Sequence, residues 1–304
     1  MKKVFVTGAS GLVGRRLLDA LSARRDTVYA LSRYDRPHTQ YVRWLYGDPC
    51  IPGPWMDEFA TCGAVVHLAG EPIMGERWSD EFLSQVRYSR VQSTFALAHE
   101  LGEGERNKVF VCGSAVGYYG ANPGDAVLTE DSPPGPDSDV MASICKEWEA
   151  QAEFAKPSGT RVVVLRTGVV LDRAGGALPK MALPFKLFAG GRIGSGKQYL
   201  AWIHHADMVG LILYALDNKQ MQGTFNATAP IPIRNADFSR ELARVLHRPN
   251  WLPAPGFMLR RVIGKAAEIA LGGQNAVPRK AQEMGYQFKF VTAGAALDDL
   301  YQRV

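Results

Sequence analysis

Val4-Phe5-Val6-Thr7-Gly8-Ala9-Ser10-Gly11-Leu12-Val13-Gly14 decides the fold. Three apolar β-formers run straight into a glycine-rich turn, and from Leu12 apolar residues recur at Val13, Leu17, Leu18 and Leu21 with a helical period. The stretch predicts a strand, a tight turn and a helix. Gly8 permits the turn, and Gly11 lets the backbone approach a pyrophosphate held at the helix N-terminus. Gly14 lets helix and strand pack closely. Gly8, Ser10, Gly11, Leu12, Val13 and Gly14 are therefore the expected dinucleotide-binding turn. A purely structural turn is the alternative, and the strand–turn–helix context favours the cofactor.

Further along the chain, apolar runs predict strands at Val28 to Leu31, Val42 to Leu45, Val65 to Leu68, Val109 to Cys112 and Val162 to Leu165. Helical stretches at about 79–101 and 139–155 alternate with them. Continuous apolar strands between helices indicate an α/β fold: a Rossmann-type, doubly wound parallel sheet covered on both faces. Past Leu171, glycines and prolines predict a loop-rich insertion, followed by a helix at about 205–217 and a returning strand at Thr224 to Ala227. Short helices fill the remainder. The expected division is a cofactor domain of residues 1–170 plus about 197–228, and a mainly helical substrate lobe of about 171–196 plus 229–304.

The 304 residues, 46% hydrophobic and 21% charged, exclude intrinsic disorder and allow a large core without staples. The net charge of +5 is spread along the chain with no basic run, which argues against nucleic acid and suits a small anionic ligand. Cys50, Cys62, Cys112 and Cys145 form no Cys-x-x-Cys or Cys/His metal spacing. No metal is expected, and the scattered thiols suit a reduced, cytoplasmic setting. Neither a signal-peptide apolar region nor a membrane span of roughly 18–20 apolar residues is present.

An acidic residue about 20 positions beyond the turn would grip the adenosine ribose and select NAD. The second strand instead ends Leu31-Ser32-Arg33. A carboxylate repels a 2′-phosphate, whereas a guanidinium binds one bidentately. Ser32 and Arg33 thus predict NADP(H) over NAD(H), with a solvated surface arginine as the alternative. Asp48, after the third strand, is placed to reach the adenine amino group or to form a turn.

Thr7 to Gly14, His67-Leu-Ala-Gly70, Ser114-Ala-Val-Gly-Tyr-Tyr-Gly120, Leu165-Arg-Thr-Gly168 and Trp202-Ile-His-His-Ala-Asp207 resemble the extended short-chain dehydrogenase/reductases. Gly70-Glu-Pro-Ile73, Arg77-Trp78, Trp148-Glu149, Gly194-Ser-Gly-Lys-Gln-Tyr199 and Leu246-His-Arg-Pro249 look, more narrowly, like the bacterial "epimerase family" proteins of the YfcH type. The resemblance covers essentially the whole chain and specifies no reaction. It implies that Gly8, Gly11, Gly14, Arg33, Asp48 and His67-Leu68-Ala69-Gly70 bind the cofactor, the last four on the nicotinamide-ribose side. Arg166 and Thr167 fall near the nicotinamide, and the segment 175–200 with the C-terminal lobe forms the substrate cleft.

Catalysis in that superfamily uses a Ser or Thr, a Tyr, and a Lys four residues after the Tyr on the same helix face. Anchored on Glu149 and on Tyr119-Gly120, those positions hold Ala115, Met141 and Cys145. Lys146 is one residue, about 100°, away from the Lys position. Replacement groups are Ser114, Tyr119, Lys146 and Glu71, each with a packed or solvated alternative. Cys145 reads better as a packed thiol and His204 with Asp207 as a cap. Arg77, Arg90 and Lys197 are candidates for an anionic substrate, such as a nucleotide sugar or another anionic or polar carbonyl compound. Two functions follow: an epimerase or oxidoreductase with a non-standard active site, or a catalytically silent NADP(H)-binding sensor or docking module. A monomer or a homodimer through the two long helices is expected.

Overall fold

The computed structural model describes residues 1–73, 77–104, 107–122 and 124–302. The chain runs β1 (Lys3–Thr7), α1 (Leu12–Ala23), β2 (Thr27–Ser32), β3 (Val42–Tyr46), α2 (Met56–Ala60), β4 (Ala64–His67), α3 (Asp80–Glu103), β5 (Val109–Ala115), α4 (Val140–Ala152) and β6 (Arg161–Thr167). It continues through β7 (Val169–Leu171), α5 (Ala177–Lys186), β8 (Tyr199–Leu200), β9 (Trp202–His204), α6 (His205–Asp217) and β10 (Gly223–Ala227). The last elements are β11 (Ile233–Arg234), α7 (Asn235–Leu246), α8 (Gly256–Ile263), α9 (Ala267–Leu271), α10 (Arg279–Glu283) and α11 (Ala293–Gln302).

Seven strands pair in the order β10-β6-β5-β4-β1-β2-β3, every pair parallel. Successive side chains alternate between faces, and both faces are covered, which is why the strands read as unbroken apolar runs. On one face, Val4 and Val6 pack with Leu17 and Leu21 of α1 and Leu211 and Ile212 of α6. On the other, Phe5 packs with Phe59 of α2, Leu97 of α3 and Trp148 of α4. A further core joins β7, α5, β9, α7 and α11 through Leu171, Leu178, Trp202, Phe238 and Leu297.

The expected loop-rich insertion contains a helix, α5. Pro179 stands in its first turn, where no intrahelical N–H bond is lost, and Pro184 stands near its end. Leu178, Ala182 and Phe185 bury one face of that helix, and this burial outweighs the prolines. The helix expected at about 139–155 ends at Ala152 and tightens into a 3₁₀ segment, Glu153–Ser158. No described helix is long and apolar enough to cross a membrane.

Candidate functional site

Chain connections run from β1 towards β3 on one side and from β4 towards β10 on the other, so a crevice opens beyond the carboxyl ends of β1 and β4. Gly8 follows β1 with φ +65°, and a Cβ there would lie 2.5 Å from the Leu68 carbonyl carbon. A Cβ on Gly14 would lie 2.2 Å from the Gly8 oxygen. Only glycines permit this approach. Gly11 caps α1 in an extended conformation, with no side-chain cap and no acidic residue in the first turn. The first-turn N–H groups, from Leu12 to Gly14, are left to an anion, and the helix dipole favours one. Ser10 is partly buried within the same turn. These residues fit the pyrophosphate of a dinucleotide.

The crevice walls are tied together by His67, which is fully buried. Thr7 Oγ1 lies 2.6 Å from its Nδ1 and Ser93 Oγ 3.0 Å from its Nε2. Ser93 donates its own proton to the Ser89 carbonyl, so it accepts from Nε2–H, while Thr7 donates to Nδ1 and accepts from Ala69 N–H. Burial, helped by the charge of Arg90, pushes His67 down to about 3. The imidazole therefore does not face a ligand, as the cofactor-lining expectation had it. Through Thr7 it fixes Ala69 at the carboxyl end of β4, beside the glycine turn.

At the β2 end, Ser32 Oγ accepts from Tyr34 N–H and from Arg36 Nε, holding the turn that presents Arg33. Arg33 is largely exposed, with Nη2 3.9 Å from Glu71 Oε2. That pairing corrects the role expected for Glu71: its carboxylate is turned to Arg33 at the β2 end, and its charge also supports that of Arg90. Asp48 Oδ1 accepts from Cys50 N–H and closes a turn.

Beyond β5 lies a buried polar network. Ser114 donates to Glu149 Oε1 at 2.7 Å, and Glu149 holds Arg166 through two bonds of 2.9 and 2.8 Å. Arg166 Nη1 donates to the Tyr119 hydroxyl at 3.1 Å. That hydroxyl has Asn226 Oδ1 at 2.7 Å and the Thr129 carbonyl at 2.9 Å as acceptors for its single proton. Burial opposes the Arg166 charge, but Glu149 outweighs it and holds the guanidinium protonated; burial raises Tyr119. Arg166, only 4% exposed, supports the cleft from within, correcting its assignment as a cofactor contact. Thr167 does line the chamber described next.

A chamber of about 1210 Å³ opens beside the crevice. Pockets for a single drug-sized ligand span roughly 300–1,000 Å³, so it has room for a nicotinamide and a substrate together. Ala115, Met141 and Cys145 line it with Trp78, Ile144 and Trp148. Burial, with the nearby charge of Glu149, pushes the Cys145 thiol up to about 12. Lys146 turns the other way. It pairs with Asp137 and donates to the Gly135 carbonyl, so the expectation that it serves as a catalytic group in the chamber is corrected. Two described cations line the chamber: Lys265, largely exposed and paired with Asp80, and the partly buried Arg90 of α3. A Cβ on Gly70 would lie 3.2 Å from its Cζ, and the guanidinium stands 5.3 Å over Trp148. Among the described residues, no three or more His, Cys, Asp or Glu side chains are placed to hold a metal ion.

The sequence model of the NAD dependent epimerase/dehydratase family matches residues 4–227. The chain belongs to that family. A domain of unknown function, DUF1731, matches residues 254–300. The Arabidopsis thaliana epimerase family protein SDR39U1 homolog, named chloroplastic, is 38% identical, covering 98% of this chain and 86% of its own. Epimerase family protein YfhF of Bacillus subtilis is 35% identical over 98% and 97%. The crystal structure of human epimerase family protein SDR39U1 with NADPH superposes with a TM-score of 0.87, at 35% identity, over 99% of this chain and 100% of that one.

For this member of the family, the fold brings together the glycine turn, Leu68 to Gly70, Ser32 and Arg33 along one crevice. It leaves Lys146 and Glu71 apart from Ser114 and Tyr119. Sequence reasoning missed Arg36, next to Ser32, and Asn226 and Glu130, whose carboxylate accepts from Asn226 N–H. Neither Asn226 nor Glu130 stands in a local pattern, and only the pairing of β10 with β6 brings Asn226 to Tyr119.

Proposed function

We propose that the chain is an NADP(H)-dependent oxidoreductase or epimerase whose active site works without the Tyr-x-x-x-Lys pair. The observation that carries it is the chamber of about 1210 Å³ beside the cofactor crevice. The preference for NADP(H) over NAD(H) rests on Arg33, exposed beyond Ser32 with no described carboxylate closer than Glu71 and with Arg36 beside it. When bound, the nicotinamide supplies or accepts a hydride at C4. The chain's residues hold and orient both molecules and exclude water. The substrate carries an anionic or polar carbonyl function. The name of a Corynebacterium glutamicum structure, a nucleoside-diphosphate sugar epimerase at 32% identity and TM-score 0.81, supports a nucleotide sugar as one form; this chain spans 58% of that one.

The same proposal takes residues 1–170 with 197–228 as the cofactor domain and 171–196 with 229–304 as the substrate lobe. It places the protein in the cytoplasm, as a monomer or homodimer, in keeping with four free thiols. The rival, a silent NADP(H)-binding module, draws on the hydroxyls of Ser114 and Tyr119 being committed within the protein. NADPH oxidation by the purified protein over a panel of carbonyl compounds and nucleotide sugars decides between them. Turnover supports the enzyme; tight NADPH binding with no turnover across the panel supports the module.

A further inference from the structure

Arg90 is a partly buried guanidinium on the chamber wall. Its Nη1 donates to the Val86 carbonyl at 3.2 Å, and its Nε and Nη2 bond to no described residue. No described carboxylate lies within ion-pair distance of it, and the thiol beside it, Cys145, is held protonated. Burial lowers its basicity, so the charge is held at a cost that an incoming anion relieves.

The rest of the wall offers a ligand little hydrogen bonding. Met141, Ile144, Val116 and Ile73 are apolar, the Trp78 indole N–H donates to the Ile73 carbonyl, and Trp148 brings one buried indole N–H without a hydrogen-bond partner. Most of the polar side chains there are engaged within the protein; Lys265 and Glu268 pair with Asp80 and Arg260, and Asn122 and Ser138 are the side chains left to a ligand. Gln198 Nε2 donates to the Ile193 and Ala270 carbonyls, Asn235 Oδ1 accepts from Ile193 N–H, and Gln274 Nε2 donates to the Gly120 carbonyl. Asp139 accepts from the N–H groups of Ala121, Met141 and Ala142. A ligand rich in hydroxyls would leave many of them unpaired here, which weakens binding.

We propose that the substrate is amphipathic: an apolar body fills the chamber, and Arg90 holds its single oxyanion, a carboxylate or similar group, beside the nicotinamide site. This rests on the cofactor reading above. It narrows the substrate to a carbonyl compound with an apolar body rather than a nucleotide sugar.

Calorimetric titration of the NADPH-loaded full chain tests it with three probes: 2-naphthoate, the neutral 2-naphthalenemethanol, and UDP-glucuronate. The expected result is one site for 2-naphthoate. Arg90→Met weakens 2-naphthoate at least about tenfold and Arg90→Lys restores most of the loss, while 2-naphthalenemethanol binds both variants as it binds the parent. Equal 2-naphthoate affinity in the parent and Arg90→Met overturns the proposal. So does UDP-glucuronate binding more tightly than 2-naphthoate through Arg90, or no 2-naphthoate binding to protein that holds NADPH. If Arg90→Met instead weakens NADPH and leaves 2-naphthoate unchanged, the anion is a cofactor phosphate and the proposal falls. Failure of the parent to bind NADPH defeats the cofactor reading, and titrating the unloaded chain still decides the role of Arg90.

Discussion

His67 Nδ1 lies 2.6 Å from Thr7 Oγ1, joining the carboxyl ends of β4 and β1 where the sheet's winding reverses. The ring is neutral in the fold, pushed down to about 3 by burial, against 6.5 for a free histidine. As pH falls through 6.5 the unfolded chain takes up a proton that the folded chain refuses, so stability is full above 6.5 and declines toward 3. Urea unfolding at pH 5.5 is expected to show a loss of about 1 kcal/mol relative to pH 7.5 that His67→Gln lacks. Identical losses in the two proteins contradict this.

Glu149→Ala removes the carboxylate that holds Ser114 and Arg166, leaving a guanidinium only 5% exposed without its partner. Breaking a buried pair from one side costs about 3–5 kcal/mol. Thermal unfolding should shift down on the order of 10 °C. A shift of one or two degrees would show that the network contributes little.

Arg33→Asp places a carboxylate beside Ser32, where a 2′-phosphate would lie. NADPH affinity should fall and NADH affinity hold or rise, moving the ratio of dissociation constants at least about tenfold. Fluorescence titration with each nucleotide measures it; an unchanged ratio removes Arg33 from cofactor selection.

A lysine at position 145 should do harm. Cys145→Lys puts an ammonium into a site where Cys145 is 1% exposed and Arg90 is already the neighbouring cation. A loss of about 2–4 kcal/mol in urea unfolding is expected, and Arg90→Met should recover part of it in the double variant. Strict additivity would show that the two positions do not interact.

Lys146→Met tests the opposite point. Lys146 pairs with Asp137, whose side chain is 94% exposed, and water screens such pairs so that they contribute little. Unchanged NADPH binding is expected, together with an unchanged urea unfolding midpoint. A large loss of NADPH affinity would return Lys146 to the site.

Local order in the sequence determined the cofactor half of this protein. The glycine turn needs only a strand, a bend and a helix start, all within Val4 to Gly14. Apolar runs reveal each buried strand because a parallel sheet is covered on both faces. The sequence also shows Met141 and Cys145 at a four-residue spacing, since that spacing lies on one helix. Tertiary structure decided what stands beside them. Arg90 and Cys145 lie 55 residues apart and share a wall only because α3 and α4 pack on the same face of the sheet. Tyr119 is held by Asn226, 107 residues on, through the parallel pairing of β10 with β6. Which polar groups are spent on the protein and which remain for a ligand depends on contacts between distant segments. One-dimensional spacing carries no record of them.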